Sequence, residues 1–195
     1  TPTPTPEPIL YGAEITEVSV QTAPAGTPVE LKGSAFWLNQ NGLAGNVPVK
    51  IRVQLRGVSR FLSATTDSSG RFSVVFQPLS SEAGKYGVNA NHPHIIDIDD
   101  IPQKEFILVG IWTEPRQAQY NLIPYKKVDA VFTLINQGDT SLSGITAKVA
   151  GVPGNLQTEV KAPSALTPEG RGEMALSLIA LDNSTPVASL QLQIS

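Results

Sequence analysis

The chain has 195 residues, a formal net charge of −3, 16 % charged residues and no cysteine. At about 100–150 residues per domain, this length predicts one large domain or two small ones. The lack of cysteine excludes disulfides and thiolate metal sites. Scattered Lys and Arg residues disfavour a nucleic-acid partner, and no apolar run approaches the roughly 20 residues that would span a bilayer.

Residues 1–8 read TPTPTPEP, with a proline at every second position. Proline fixes φ and lacks a backbone donor, so this segment cannot join a sheet or a helix. We predict an extended, semi-rigid Thr-Pro linker that tethers domains. An alternative is that its threonines carry O-linked sugars.

Apolar residues then recur with a period of two, which is typical of β-strands with one buried face. The clearest run is VPVKIRVQLR at 47–56. Its predicted buried positions are Val49, Ile51, Val53 and Leu55. Its predicted exposed positions are Lys50, Arg52 and Arg56. Gly and Pro separate this run from similar ones around Leu31, Phe72 and Tyr86, as strand boundaries require.

A second set of alternating runs begins near Lys104. It includes Phe106–Trp112, which is almost continuously apolar, and ends with Leu190, Leu192 and Ile194. Each half of the chain holds about six or seven candidate strands, the number in one immunoglobulin-like sandwich. We therefore predict an all-β chain with two tandem immunoglobulin-like β-sandwich domains at 9–102 and 103–195, after the Thr-Pro linker.

The segments TDSSGRF at 66–72 and GKYGV at 84–88 carry a resemblance. They resemble the turn and following strand of bacterial immunoglobulin-like and carboxypeptidase-regulatory-like (transthyretin-like) domains. In such a turn Asp67 can cap the backbone through its side chain, and Gly70 can take a positive φ. The resemblance implies a sandwich fold for the first half.

VFTLINQGDTSLSG at 131–144 and LTPEGRGEMALSL at 166–178 are similar to segments of CARDB-like and NEW3-like bacterial adhesion or spacer domains. Asn136, Gly138 and Gly144 occupy the turn positions of that pattern, and Glu169 departs from it by separating Pro168 from Gly170. The resemblance implies a secreted or cell-surface context and specifies no chemistry.

The acidic residues Asp97, Asp99 and Asp100 lie near the predicted domain junction. Calcium accepts several oxygen ligands in irregular geometry, so these carboxylates are candidate ligands of a structural calcium ion. The alternative is a solvated acidic linker. His92 and His94 precede them, and a transition-metal site there is the weaker hypothesis because the spacing is not that of zinc sites.

Trp112, Tyr120 and Tyr125 are candidate ligand-binding residues, because exposed aromatic rings can stack on sugars. Tyr120 and Tyr125 belong to 113–127, the longest stretch without alternation, and long loops on a rigid sandwich often bind ligands. The alternative for that stretch is an edge strand with a proline-bent connection. Trp37 ends an apolar strand and is predicted to pack in the core.

These observations predict a chain without enzyme activity or cofactor, because nothing pairs the carboxylates or builds a nucleophile–histidine set. We expect a structural or adhesive spacer of a secreted or cell-surface bacterial protein. The alternative is a carbohydrate- or protein-binding module attached to a secreted polysaccharide-active enzyme. The expected partners are neighbouring domains of a larger polypeptide, and a glycan or surface protein in the alternative, with the chain itself monomeric.

Overall fold

A computed structural model of the chain describes residues 10–96, 101–182 and 190–194. Within these residues the secondary structure is all-β, and the chain divides into two compact units, one ending at Val109 and the other beginning at Gly110. The linker predicted at residues 1–8 lies outside the described residues. No helix in the described part is long and apolar enough to cross a membrane.

The described residues of the first unit form eight strands in two sheets. They are β1 (Tyr11–Val18), β2 (Thr22–Pro24), β3 (Val29–Trp37), β4 (Pro48–Leu55), β5 (Val58–Thr65), β6 (Arg71–Phe76), β7 (Gly84–Asn91) and β8 (Lys104–Val109). One sheet has the order β1-β3-β6 and the other the order β2-β8-β7-β4-β5. All pairs are antiparallel except β2 with β8, which is parallel.

A single apolar core lies between these two sheets. It contains the predicted Val49, Ile51 and Val53, each at most 2 % exposed. Leu55 is half-buried at the end of β4, and Trp37 packs at the margin of the core with its ring edge-on to Tyr11. The predicted period of two and its register are therefore confirmed for β4 on the core side.

On the outward side of β4 the prediction is wrong for Arg52, which is buried, whereas Arg56 is exposed and Lys50 is half-buried. Arg52 pairs across the ladder with Asn89, whose Nδ2 donates to the carbonyl oxygen of Ile101 at 2.9 Å. The chain that enters β8 thus crosses the outward face of this sheet and shields the polar side chains there from water.

The turn before β6 has the predicted construction. Asp67 Oδ1 accepts hydrogen bonds from the backbone N of Ser69 at 2.8 Å, from Ser69 Oγ at 2.7 Å and from the backbone N of Arg71 at 3.0 Å. Gly70 has φ of 78°. The hydrogen bond from Ser69 is the main reason that the pKa of Asp67 is lowered.

The division between the units falls after β8, later than the predicted boundary at 102–103. Strand β8 pairs with β7 on one side and with β2 on the other, so its residues complete a sheet of the first unit. Consequently the apolar run Phe106–Trp112 is interrupted at Gly110, and its two ends lie in different sheets.

Eight further strands are described in the second unit. They are β9 (Ile111–Glu114), β10 (Lys127–Asn136), β11 (Leu142–Ser143), β12 (Ala147–Ala150), β13 (Leu156–Lys161), β14 (Ala165–Leu166), β15 (Arg171–Ala180) and β16 (Gln191–Ile194). One sheet has the order β13-β15-β10-β9, and it faces the pair β12-β16; β11 and β14 form a short separate pair.

Asn136 organises the turns at one end of this unit, as the sequence pattern indicated. Its Nδ2 donates to the carbonyl oxygens of Thr140 at 2.8 Å and Thr167 at 2.9 Å, and its Oδ1 accepts from the backbone N of Gly138 at 2.9 Å. Asn136 is 1 % exposed, and Gly144 has φ of 73°. Each unit is an all-β sandwich whose sheets enclose an apolar core, as predicted.

Candidate functional site

The second unit contains a cleft of about 1080 Å³ that is lined by residues of its four-stranded sheet and of the β12–β16 pair. Its floor is formed by Phe132 of β10 and by Leu176 and Leu178 of β15, all of which belong to the apolar core. Residues 190–193 and the segment 116–122 that follows β9 also line the cleft. The cleft is therefore an opening into the sandwich itself.

The imbalance between the two sheets explains why the cleft exists. Within the described residues, four strands form one sheet, whereas the other strands of the core form two pairs, β12 with β16 and β11 with β14. Stacked sheets pack about 10 Å apart, so inner-face side chains without an opposing strand line open space. Leu190 and Leu192 beside this space are only half-buried, whereas Leu134 at the centre of the core is 0 % exposed.

The segment 115–126 forms the predicted loop, and its ends are held by the core. Leu122 packs against the core cluster, and the backbone N of Tyr125 donates to the carbonyl oxygen of Ala180 at 2.8 Å. Tyr125 takes a positive φ of 60° there. The intervening residues from Arg116 to Asn121 are exposed and face the cleft.

One of the three predicted aromatic binding residues, Tyr120, lies at this cleft. Tyr120 is 37 % exposed, and Trp112 is 40 % exposed but pairs with Ile135 on the face of the sheet opposite to Phe132. The Arg116 guanidinium, which also lines the cleft, lies 4.1 Å from the centroid of the Trp112 ring. One face of that ring is thus covered by a cation. Tyr125 is 73 % exposed and does not line the cleft.

The electrostatic character of the cleft is nearly neutral. Arg116 is its one charged lining residue among those described, and its polar lining consists mainly of amides, including Gln117, Gln119, Asn155 and Gln191. The groups with shifted pKa values lie elsewhere: burial raises the pKa of Tyr86 to about 12 in the first unit. A hydrogen bond from Ser177 lowers the pKa of Asp129 on an exposed strand face. The described lining suits hydrogen bonding and apolar contact.

The predicted calcium ligands Asp97, Asp99 and Asp100 lie outside the described residues, so the calcium hypothesis stays a prediction. His92 and His94 are described. His92 is 8 % exposed, its ring centroid lies 4.4 Å from that of Tyr11, and its Nδ1 accepts a hydrogen bond from the backbone N of His94 at 3.2 Å. In the described part of the chain no three His, Asp or Glu side chains gather as a metal site would require.

Sequence reasoning missed the cleft, although it identified the loop that forms one wall. The signal available was the run LQLQI at 190–194, an alternating strand without a charged residue. The run alone does not reveal the cleft, because the cleft depends on which strand β16 pairs with. That partner is β12, which lies more than forty positions earlier in the sequence.

No family model matches the chain, and no curated protein matches it. Among solved structures, the chain is similar to the D0-D1 domain of intimin, with 14 % identity and a TM-score of 0.37, over 93 % of this chain and 98 % of that one. It is also similar to Escherichia coli alpha-2-macroglobulin activated by porcine elastase, with 13 % identity and a TM-score of 0.38, over 96 % of this chain.

A Salmonella alpha-2-macroglobulin mutant gives 11 % identity and a TM-score of 0.38, over 91 % of this chain. The chain spans 22 % and 16 % of the lengths of these two alpha-2-macroglobulins. Likenesses at such identities and TM-scores carry no argument about function.

Proposed function

We propose that this chain is a non-catalytic structural or adhesive spacer of a secreted or cell-surface bacterial protein, with a CARDB/NEW3-like second domain. The observation that carries the proposal is how the chain uses its buried polar side chains. Asn136 holds three backbone groups around one turn, and Thr66 Oγ1 both donates to the carbonyl oxygen of Ala44 at 2.8 Å and accepts from the backbone N of Val47 at 3.0 Å.

These side chains fix loops and strands, which suits a module that must keep its shape. A spacer needs each domain to remain folded under load, and polar groups satisfied by the backbone are expensive to separate. The Thr-Pro segment at the start of the sequence fits the same role as a semi-rigid tether.

The test is a binding and turnover screen of the purified chain. It would be applied to a broad glycan array and to panels of polysaccharide and ester substrates, with calcium and with a chelator. The spacer proposal predicts no retained glycan and no turnover in either condition. Turnover that survives repurification would contradict it, and calcium-dependent retention would favour a binding role and the predicted Asp97, Asp99 and Asp100 site.

The second candidate function is carbohydrate binding at the exposed aromatic residues. Trp112 is 40 % exposed and Tyr120 is 37 % exposed, and aromatic faces of this kind can stack on sugar rings. The Arg116 guanidinium now covers one face of Trp112. If a sugar stacks on that face, Arg116→Ala should strengthen retention on the array and Trp112→Ala should abolish it. Unchanged retention in both variants would remove Trp112 from the site.

A further inference from the structure

The loop that joins β3 to β4 contains the one Asn-Gly dipeptide of the chain, Asn41-Gly42. An asparagine side chain can react with the backbone nitrogen of the residue that follows it, and asparagine is for this reason a thermolabile residue. Glycine permits the reaction best, because it has no side chain to hinder the approach and restricts the backbone least. Whether a given asparagine reacts in a folded protein then depends on what holds the nitrogen that follows it.

The surroundings of Asn41 leave this reaction unhindered. Asn41 and Gly42 are both exposed. Gly42 has φ of 113°, and an added Cβ at this position would meet no atom within 4 Å. Within the described residues, no hydrogen bond engages the Asn41 side chain or the N–H of Gly42. The carboxamide carbon and the attacking nitrogen can therefore approach each other without breaking an existing contact.

Other asparagines of the chain are followed by a backbone nitrogen that is already engaged. The backbone N of Val47, which follows Asn46, donates to Thr66 Oγ1 at 3.0 Å. The backbone N of Gln137, which follows Asn136, donates to a backbone carbonyl oxygen at 2.9 Å. In each case the reaction would first have to break a hydrogen bond that the fold provides. The fold thus protects these asparagines and leaves Asn41 unprotected.

We propose that Asn41 deamidates spontaneously in the folded protein, which makes the Asn41-Gly42 peptide a site of covalent modification. The backbone nitrogen of Gly42 attacks Cγ of Asn41 and forms a bond to it, while the bond from Cγ to Nδ2 breaks. The proton of the Gly42 nitrogen goes to the leaving group, which departs as ammonia, and a succinimide ring remains.

Water then opens the succinimide ring in one of two ways. Cleavage of the bond between the Gly42 nitrogen and Cγ of residue 41 gives aspartate with the original backbone. Cleavage of the bond between that nitrogen and the backbone carbonyl carbon gives isoaspartate, whose main chain runs through the side-chain carbons. Each product carries one new carboxylate, and neither step needs an oxidant or a reductant.

The products change the charge of this loop, and isoaspartate also changes its backbone. Residues 33–49 contain no Asp, Glu, Lys or Arg, so the new carboxylate places a negative charge in the middle of an uncharged stretch. Isoaspartate adds a methylene to the main chain inside a loop that is closed by the bridge between Phe36 and Leu43. The backbone N of Trp37 donates to the carbonyl oxygen of Gly42 at 3.2 Å in the same loop, and we expect the longer backbone to weaken this bond.

The experiment follows the purified full chain during incubation at mildly alkaline pH and physiological temperature. Trypsin releases residues 33–50 as one peptide, which contains Asn39, Asn41 and Asn46. Fragmentation in a mass spectrometer locates each conversion of amide to carboxyl within this peptide and distinguishes isoaspartate from aspartate. A sample taken at the start corrects for deamidation during digestion.

Asn39 and Asn46 are matched internal controls, because both are exposed and lie in the same loop as Asn41. Gln40 follows Asn39, and the β-branched Val47 follows Asn46. We expect Asn41 to be converted on the order of tenfold faster than either control, because only Asn41 is followed by glycine.

Two variants separate the reaction from its consequences. Asn41→Gln should stay unmodified at position 41 over the same period, because glutamine would have to form a larger and less favourable ring. Asn41→Asp supplies the charge without the additional methylene. Hydrogen exchange of the Trp37 N–H, measured by NMR, should therefore be faster in the incubated wild type than in Asn41→Asp.

Two results would overturn the proposal. One is equal conversion of Asn39, Asn41 and Asn46 in the folded chain. The other is an Asn41 that remains intact in the folded chain over the period in which the isolated peptide 33–50 is converted, since this would show that the fold protects the site. Neither result bears on the spacer proposal, which is judged separately by the glycan and turnover screen.

Discussion

The side-chain amide of Gln103 joins the two sheets of the first unit, and its removal is the most direct test of how this unit is held together. Its Oε1 accepts from the backbone N of Ile15 in β1 at 2.8 Å and from that of Ala90 in β7 at 2.9 Å. Its Nε2 donates to the carbonyl oxygens of Ala13 and Ala90, each at 3.2 Å. β1 and β7 belong to different sheets and share no backbone ladder, so the amide of Gln103 provides hydrogen bonds that connect them.

We expect Gln103→Ala to lower the free energy of unfolding of the first unit by about 2–4 kcal/mol. The substitution leaves the N–H groups of Ile15 and Ala90 without their acceptor, in residues that are 3 % and 0 % exposed. Each buried donor left unsatisfied costs about 1–3 kcal/mol, which gives about 2–6 kcal/mol for the pair. Gln103 itself is exposed, so water can reach part of the site, and the lower part of that range applies.

The assay is urea denaturation followed by tryptophan fluorescence in a Trp112→Phe background. The chain has two tryptophans, and Trp37 lies in the first unit, so this background reports that unit alone. Gln77→Ala is the matched control, because Gln77 makes one exposed hydrogen bond, to the carbonyl oxygen of Gly26 at 3.4 Å. It should change stability by less than about 0.5 kcal/mol. A Gln103→Ala variant as stable as Gln77→Ala would refute the reasoning.

Three further predictions concern the turns. Asn136→Ala should lower the free energy of unfolding of the second unit by about 1–3 kcal/mol, because it leaves the buried N–H of Gly138 without an acceptor and removes two further hydrogen bonds to backbone carbonyls. The measurement is urea denaturation followed by Trp112 fluorescence in a Trp37→Phe background, and a loss below about 0.5 kcal/mol would contradict the prediction. In urea denaturation, Gly70→Ala should lower the free energy of unfolding more than Gly57→Ala does. Both glycines have a positive φ, but of the two only Gly70 lies where an added Cβ would meet neighbouring atoms, those of Leu43 and Ala44. Equal losses of unfolding free energy in the two variants would contradict this prediction. Asp67→Ala should lower the free energy of unfolding of the first unit at pH 7, and this destabilisation should disappear in acid. The pKa of Asp67 is lowered in the folded state, so the stabilisation by its carboxylate is fully present above the unfolded pKa of about 3.9. That stabilisation is lost as the pH falls through the folded pKa. A difference from wild type that is constant from pH 7 to pH 2 would show that the carboxylate charge is not involved.

Local sequence patterns predicted the features that depend only on neighbouring residues, namely the buried face of a strand and the structure of a turn. The alternation at 47–56 identified the buried Val49, Ile51 and Val53, because side chains of a strand alternate between faces wherever the strand pairs. The turn chemistry of Asp67 and Gly70 was also readable, since the side-chain cap and the positive φ act within five residues.

Features that depend on distant pairing were not readable from local patterns. Arg52 is buried because the segment around Ile101 crosses its sheet, and nothing in the residues next to Arg52 indicates that crossing. The same holds for β8, which alternates like any other strand but completes a sheet of the first unit through β7 and β2. The position of Gln103 between β1 and β7 requires residues nearly ninety positions apart to meet.

The two units differ in how completely their apolar side chains are buried. In the first unit, sheets of three and five strands enclose a core in which Val29, Leu31, Ile51, Val88 and Ala90 are fully buried. In the described part of the second unit, Leu134 and Met174 are fully buried, whereas Leu190 and Leu192 beside the cleft are only half-buried. Burying apolar side chains stabilises a fold by about 25 cal/mol per Å² of apolar area removed from water, so Leu190 and Leu192 contribute less to the stability of the second unit than fully buried leucines would.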